Sequence, residues 1–200
     1  MGRLHLIRHG QAEWQLTRGG DLDSPLTETG HRQAVALASW LAAPGPCVFG
    51  MNGRPERLLA SPLKRARQTA AHIAQSIGLT VEVWPELEEA PFRVADHLPH
   101  RSHPSDRVRE ATPDYLRFRA QAQTVLSKLA TEAMRTDGGE TLVVTHGGMI
   151  RTLLRVIADS DLICFDVLNG SVTTIEWREG RWHLVHLSLR DHLDVNFRTR

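Results

Sequence analysis

Two hundred residues with a formal net charge of +1, 41% hydrophobic and 24% charged side chains, fit one globular domain with a sizeable core and exclude wholesale disorder. So balanced a charge excludes a nucleic-acid binder that works through bulk electrostatics. Two separated cysteines, Cys47 and Cys164, exclude a disulfide framework and a CxxC zinc knuckle.

Of the 24 basic side chains only Lys64 and Lys128 are lysines, a bias that codon usage explains as readily as anion recognition by guanidinium does. The chain opens without a secretory pattern, and no run approaches about eighteen apolar residues. Leu6 stands where a myristoylation signal wants Ser or Thr. A cytoplasmic protein with no membrane partner is the expectation.

The first predicted element is a strand, "LHLI", which stops abruptly on Arg8-His9-Gly10. A Gly/Asp-rich loop follows, then a helix from about Thr27 to Leu41, with Thr27 as cap and Ala34, Leu37, Ala38 and Leu41 as apolar stripe. A turn-rich segment over 43–56 leads into the short strand "RLLAS". Ser61-Pro62 then reads as N-cap and first helical residue of a helix that Gly78 ends. "TVEVWPEL" is the third strand candidate.

Residues 90–112, rich in Pro, Arg and His, show no clean period and read as a long surface excursion. Thr112-Pro113-Asp114 starts a long helix that Gly138-Gly139 ends. "TLVVT" is a β-branched run suited to a strand covered on both faces, and Ile150, Leu153, Leu154 and Ile157 mark the next helix. "VTTIEW" and "WHLVHL" around Glu179-Gly180 predict a hairpin, whose edge is a candidate for homodimer pairing. The alternation predicts one domain over 1–200: a three-layer α/β/α sandwich with a mostly parallel central sheet.

Ligands of such sheets gather beyond the carboxyl ends of the strands. Arg8-His9-Gly10 and His146-Gly147-Gly148 both stand there, with glycines that let the chain turn and approach a ligand. Lys64, Arg65 and Arg67 crowd the start of the helix after Ser61, where cations oppose the helix dipole unless an anion binds. Spacing alone leaves open which of the three turns inward. His97, His100 and His103 are interrupted by Pro99 and Pro104, so their spacing predicts no metal site.

"LIRHGQAEW", "DSPLTETGHRQA", "LLASPLKRARQTA" and "LVVTHGGMIR" together resemble, in order and spacing, the histidine phosphatase superfamily, the phosphoglycerate mutase-like fold. The resemblance implies a phosphohistidine mechanism without metal or cofactor. His9 would be the nucleophile, Arg8 and Arg65 the phosphate clamps, and His146 a second imidazole stabilising the transferring group. Gln15 and Gly147 are the further substrate-binding positions. Glu86, Glu88 and Glu89 are all placed to protonate a leaving group, and the resemblance implies Glu89, with Glu88 as the alternative.

Ala12 and Gln15 stand where the family usually carries Thr or Ser and Asn. Ala90-Pro91-Phe92-Arg93 replaces the tract that follows the acid in the mutases. The expectation is hydrolysis of a small phosphorylated metabolite, with residues about 91–112 as a lid. A phosphoprotein phosphatase, a mutase-type phosphotransferase and a non-catalytic phosphate binder are the alternatives.

Overall fold

Strand β1 (Arg3–Arg8) runs through the middle of a six-stranded sheet, and five of its six residues are buried: the apolar Leu4, Leu6 and Ile7, and the polar His5 and Arg8, which are hydrogen-bonded. The computed structural model describes residues 2–17, 21–43, 54–135 and 139–199. Most of the turn-rich 43–56 segment, including Cys47, lies outside them, as does Gly138 of the predicted helix stop. Cys164 is exposed and unpaired.

After β1 come a one-turn helix α1 (Trp14–Thr17), α2 (Glu28–Ala42), β2 (Pro55–Ala60), α3 (Lys64–Ile77) and β3 (Val81–Val83). Then follow α4 (Pro113–Arg135), β4 (Glu140–Thr145), α5 (Gly147–Ala158) and the hairpin β5 (Val172–Arg178) and β6 (Arg181–Leu189). The sheet order is β3-β2-β4-β1-β5-β6; the first four strands are parallel, and β5 and β6 are antiparallel to their neighbours. The hairpin turns at Glu179 and Gly180, both at positive φ as its tight two-residue loop requires.

Side chains alternate across this sheet. Leu4, Leu6, Leu59 and Val143 pack with α4 and α5 on one face. Ile7, Leu58, Ala60, Leu142 and Val144 pack with α2 and α3 on the other. The three layers expected from the alternation are therefore present.

The Thr27 hydroxyl accepts the Gly30 N–H at 3.0 Å, as its cap position predicts. At α3 the expectation fails: the helix starts at Lys64, and its first N–H is taken by the Asp23 carboxylate at 2.6 Å. Ser61 is engaged elsewhere. The third strand is also shorter than expected, because Pro85 supplies no ladder N–H and opens a 3-10 turn, Pro85–Leu87.

Residues 90–112 carry a 3-10 turn, Val94–His97, and one isolated bridge between His100 and Arg109. Phe92 anchors the segment edge-on to Phe118 of α4, at 6.3 Å between ring centroids. Among the described residues no helix is long and apolar enough to cross a membrane.

Candidate active site

Arg8 of β1 and Thr145 of β4 are register partners, so His9 and His146 are the first residues beyond two adjacent parallel strands. Their ring centroids lie 5.1 Å apart with planes at 61°, and both side chains are buried. β2 ends one strand over, with Ala60 paired to Val144, and the next residue, Ser61, brings its hydroxyl within 2.7 Å of His146 Nε2.

The His9 loop explains its own sequence. His9 Nδ1 lies 2.6 Å from the Gly10 carbonyl, which can only accept, so Nδ1 carries the proton. Nε2 is then the lone-pair nitrogen, and the Arg65 Nε–H donates to it at 3.2 Å. Gly10 donates its N–H to Thr69 Oγ1, whose hydroxyl in turn donates to the Arg65 carbonyl. A side chain at Gly10 would meet the Gly30 carbonyl at 2.4 Å. The absent side chain at position 10 thus lets β1 dock on α2, where the sequence suggested room for a ligand.

Of the three cations at the start of α3, Arg65 is buried, while Lys64 and Arg67 are exposed. Arg65 also donates through Nη1 to the Leu22 carbonyl at 2.7 Å, which holds the guanidinium in place against its own helix dipole.

Arg8 donates through Nη1 to the Val167 carbonyl at 2.7 Å, and Arg151 donates to the same oxygen at 3.1 Å. Arg151 further reaches the Phe165 carbonyl at 3.0 Å, and Arg155 the Ile163 carbonyl at 3.0 Å. Alternate carbonyls of the extended 163–167 segment are thus read by arginines of α5 and by Arg8. Gly147 permits this: a side chain there would meet Arg8 Nε at 3.2 Å and Arg151 Nη1 at 3.3 Å.

Glu89 follows the 3-10 turn, whose Leu87 carbonyl accepts the Thr145 hydroxyl at 2.7 Å. Its carboxylate accepts the Gly148 N–H at 2.8 Å, at the N-terminus of α5, and the Ala90 N–H at 3.1 Å. Glu88 is exposed and Glu86 pairs with Lys128, so of the three glutamates Glu89 alone enters the cleft.

Gln15 is brought to the cleft's edge rather than to the imidazoles. Its amide oxygen accepts the Ala12 N–H at 2.9 Å, and the amide faces that of Asn169 at 3.4 Å. Asn169 in turn donates to Thr199 at 2.9 Å.

Electrostatics separate the two kinds of titrating group. Burial, then the charges of Arg65 and Arg8, hold the His9 imidazole well below its ordinary value; burial, then His9, Arg65 and Arg8, do the same to His146. Burial raises the Glu89 carboxyl against the pull of the Gly148 and Ala90 N–H groups. Arg8 is pushed down to about 10 by burial and by Arg151, and still carries its charge at neutral pH. The site therefore combines neutral imidazole, fixed cations and a carboxyl biased toward its protonated form.

Sequence reasoning missed Ser61 as a site residue, Arg151 and Asn169. Arg151 had a signal, because it lies one helical turn beyond Gly147 on the same face of α5. Asn169 and the 163–167 carbonyls had none, lying in an aperiodic loop.

His97 bonds the Thr112 hydroxyl at 2.8 Å and packs on Phe92, and His103 bonds Ser105 at 2.7 Å. Among the described residues no three His, Cys, Asp or Glu side chains are grouped to hold a metal ion.

Comparison with known proteins agrees with this geometry. The chain is 26% identical over 192 residues to an uncharacterized phosphatase, PhoE, of Bacillus subtilis, covering 94% of this chain and 95% of that one. It is 29% identical over 206 residues to a metal-independent phosphoserine phosphatase of Arabidopsis thaliana, covering 94% and 82%. The solved structure of a putative alpha-ribazole-5'-P phosphatase from Escherichia coli superposes with a TM-score of 0.72 at 21% identity, covering 95% of this chain and 98% of that one. The family model of the histidine phosphatase superfamily, branch 1, matches residues 4–190, and the chain belongs to that superfamily.

Proposed function

We propose that the protein is a metal-independent phosphomonoesterase that works through a phosphohistidine on His9 and acts on a small phosphorylated metabolite. One observation carries this reading. Two buried nitrogens beside the neutral His9, Arg8 Nε and His146 Nδ1, have no partner among the described residues, and both fit the oxygens of a phosphoryl group.

In the first step His9 Nε2 attacks phosphorus as the P–O bond to the alcohol breaks, and Glu89 gives its proton to the departing oxygen. Arg8, Arg65 and His146 meet the charge on the equatorial oxygens, the work that metal ions do in kinases. In the second step Glu89 takes a proton from water as the water oxygen attacks phosphorus. The P–N bond breaks, phosphate leaves and neutral His9 returns. The phosphatase names of the Bacillus subtilis and Arabidopsis thaliana relatives support hydrolysis, while relatives at 27% identity in Cronobacter sakazakii and Yersinia pestis are named probable phosphoglycerate mutases and support transfer as the second reading.

Residues 91–112 are the proposed lid, which selects the alcohol. Exchanging this segment should change substrate preference and leave p-nitrophenyl phosphate hydrolysis intact; loss of both together would remove the lid assignment. A cytoplasmic location and a homodimer built on the free edge of β6 complete the proposal, and sizing chromatography tests the second.

The central test is p-nitrophenyl phosphate hydrolysis in EDTA, with acid quench to trap the phosphoenzyme. Release and labelling should both vanish in His9→Ala. Release that needs added metal, or that survives His9→Ala, overturns the mechanism; absence of any release leaves a phosphate-binding protein.

A further inference from the structure

Among the described residues His146 has one nitrogen engaged and one without a partner, and the engaged one determines what the other can do. Nε2 lies 2.7 Å from Ser61 Oγ, and both side chains are fully buried. A hydroxyl can satisfy either tautomer. If Ser61 donates, Nε2 is bare and the ring proton sits on Nδ1; if Ser61 accepts, the proton sits on Nε2 and Nδ1 is bare.

The surroundings of Ser61 choose between these. Its oxygen already accepts the Leu63 N–H at 3.4 Å, and among the described residues the only other partner of its side chain is His146. Were Ser61 to accept from His146 as well, its own O–H would be left buried with nothing to bond. An unsatisfied buried donor costs about 1–3 kcal/mol. The Nδ1–H form also leaves one donor without a protein partner among the described residues, but that donor is met by a phosphoryl oxygen, whereas the Ser61 O–H would have no acceptor, so the hydroxyl proton goes to His146 Nε2.

We propose that Ser61 is a positioning residue that holds His146 in the Nδ1–H tautomer, so that the ring donates toward the phosphoryl group and does not accept. This rests on the proposed role of His146. A bare Nδ1 at the same place would set a lone pair against phosphoryl oxygens. The titratable and charged groups that act on the ring are those of the pocket itself, His9, Arg65 and Arg8. Ser61 therefore serves the site from the position that local pattern assigns to a helix cap, and Asp23 caps α3 in its stead.

The test reads the tautomer directly. In protein labelled with nitrogen-15 histidine, long-range proton–nitrogen correlation near neutral pH should show His146 protonated at Nδ1 and bare at Nε2. The signal is assigned by its loss in His146→Asn. Ser61→Ala should give the Nε2–H form or a mixture and lower kcat on p-nitrophenyl phosphate about tenfold, with the thermal midpoint largely kept. Ser61→Thr, which retains the hydroxyl, should restore both tautomer and rate.

An Nε2–H tautomer in the unaltered protein overturns the proposal, as does a Ser61→Ala variant whose tautomer is unchanged. If Ser61→Ala does not fold, the spectrum of the unaltered protein still decides. Because that spectrum needs no turnover, an Nδ1–H signal in a protein without His9-dependent hydrolysis would sink the proposed function and leave the tautomer assignment standing.

Discussion

Glu89 accepts the backbone N–H of Gly148 at 2.8 Å, so the candidate acid is seated on the first turn of the helix that begins directly after His146. The N–H alone would favour the carboxylate, yet burial outweighs it and the carboxyl is biased toward its protonated form. A raised carboxyl stays protonated to higher pH, and acid catalysis is lost as pH rises through that value. Glu89→Gln should slow alkyl phosphates about a hundredfold and p-nitrophenyl phosphate, with its good leaving group, about tenfold or less. It should also abolish the alkaline fall in kcat for alkyl phosphates. Equal losses on both ester classes would remove Glu89 from the acid role.

Gly148→Ala isolates the seating from the acid itself. The added Cβ would lie 2.3 Å from Glu89 Oε1 and 2.9 Å from the carboxyl carbon, so the carboxylate must leave the helix end. The helix gains up to about 1 kcal/mol of propensity, so the fold should persist. The expected phenotype copies Glu89→Gln, with phosphoenzyme formation from p-nitrophenyl phosphate largely retained. A kinetically normal Gly148→Ala protein would show that the seat is not needed.

Arg151 shares the Val167 carbonyl with Arg8, which sets the spacing of two guanidiniums that repel each other. Arg151→Gln removes a charged donor from that oxygen and lets Arg8 relax. KM for p-nitrophenyl phosphate and the inhibition constant for inorganic phosphate should both rise about tenfold, with a smaller change in kcat. Unchanged phosphate affinity would confine Arg151 to holding the 163–167 segment.

His192, stacked on Trp40 at 5.1 Å between centroids, is held down to about 4, chiefly by burial. The unfolded chain takes up this proton first, below about pH 6.5. Stability from keeping the ring neutral is therefore present above that pH and is lost as pH falls toward 4, by about 2 kcal/mol once partial exposure is allowed for. His192→Asn should flatten the acid limb of the thermal midpoint between pH 7 and 4. An unchanged slope would assign that limb to other groups.

How much of this is legible in the sequence depends on how local the cause is. The Thr27 cap, the Gly78 stop and the "TLVVT" run of a strand covered on both faces are written in neighbouring residues, and reading them works. The ends of β1 and β4 are legible because buried strands stop on polar residues for few reasons. The start of α3 misleads, since Ser-Pro has the form of a cap while the hydroxyl bonds a histidine 85 positions further on and Asp23, 41 positions before Lys64, does the capping. Arg65 cannot be told from Lys64 and Arg67 without the Leu22 carbonyl that receives it, and no periodicity reports a carbonyl.

The pairing of Arg8 with Thr145 has a consequence for how such a protein diversifies. Neighbouring strands stand about 4.8 Å apart whatever their side chains, so the gap between the two imidazoles is inherited from the backbone ladder. No point substitution in β1 or β4 tunes it gradually, and a one-residue slip would exchange the side chains of two differently packed buried faces. Variation that samples new alcohols is thus channelled into the loops around the cleft, while the spacing of the nucleophile and the second imidazole stays constant. A library meant to change the substrate should randomise the 91–112 segment and leave those two strands untouched.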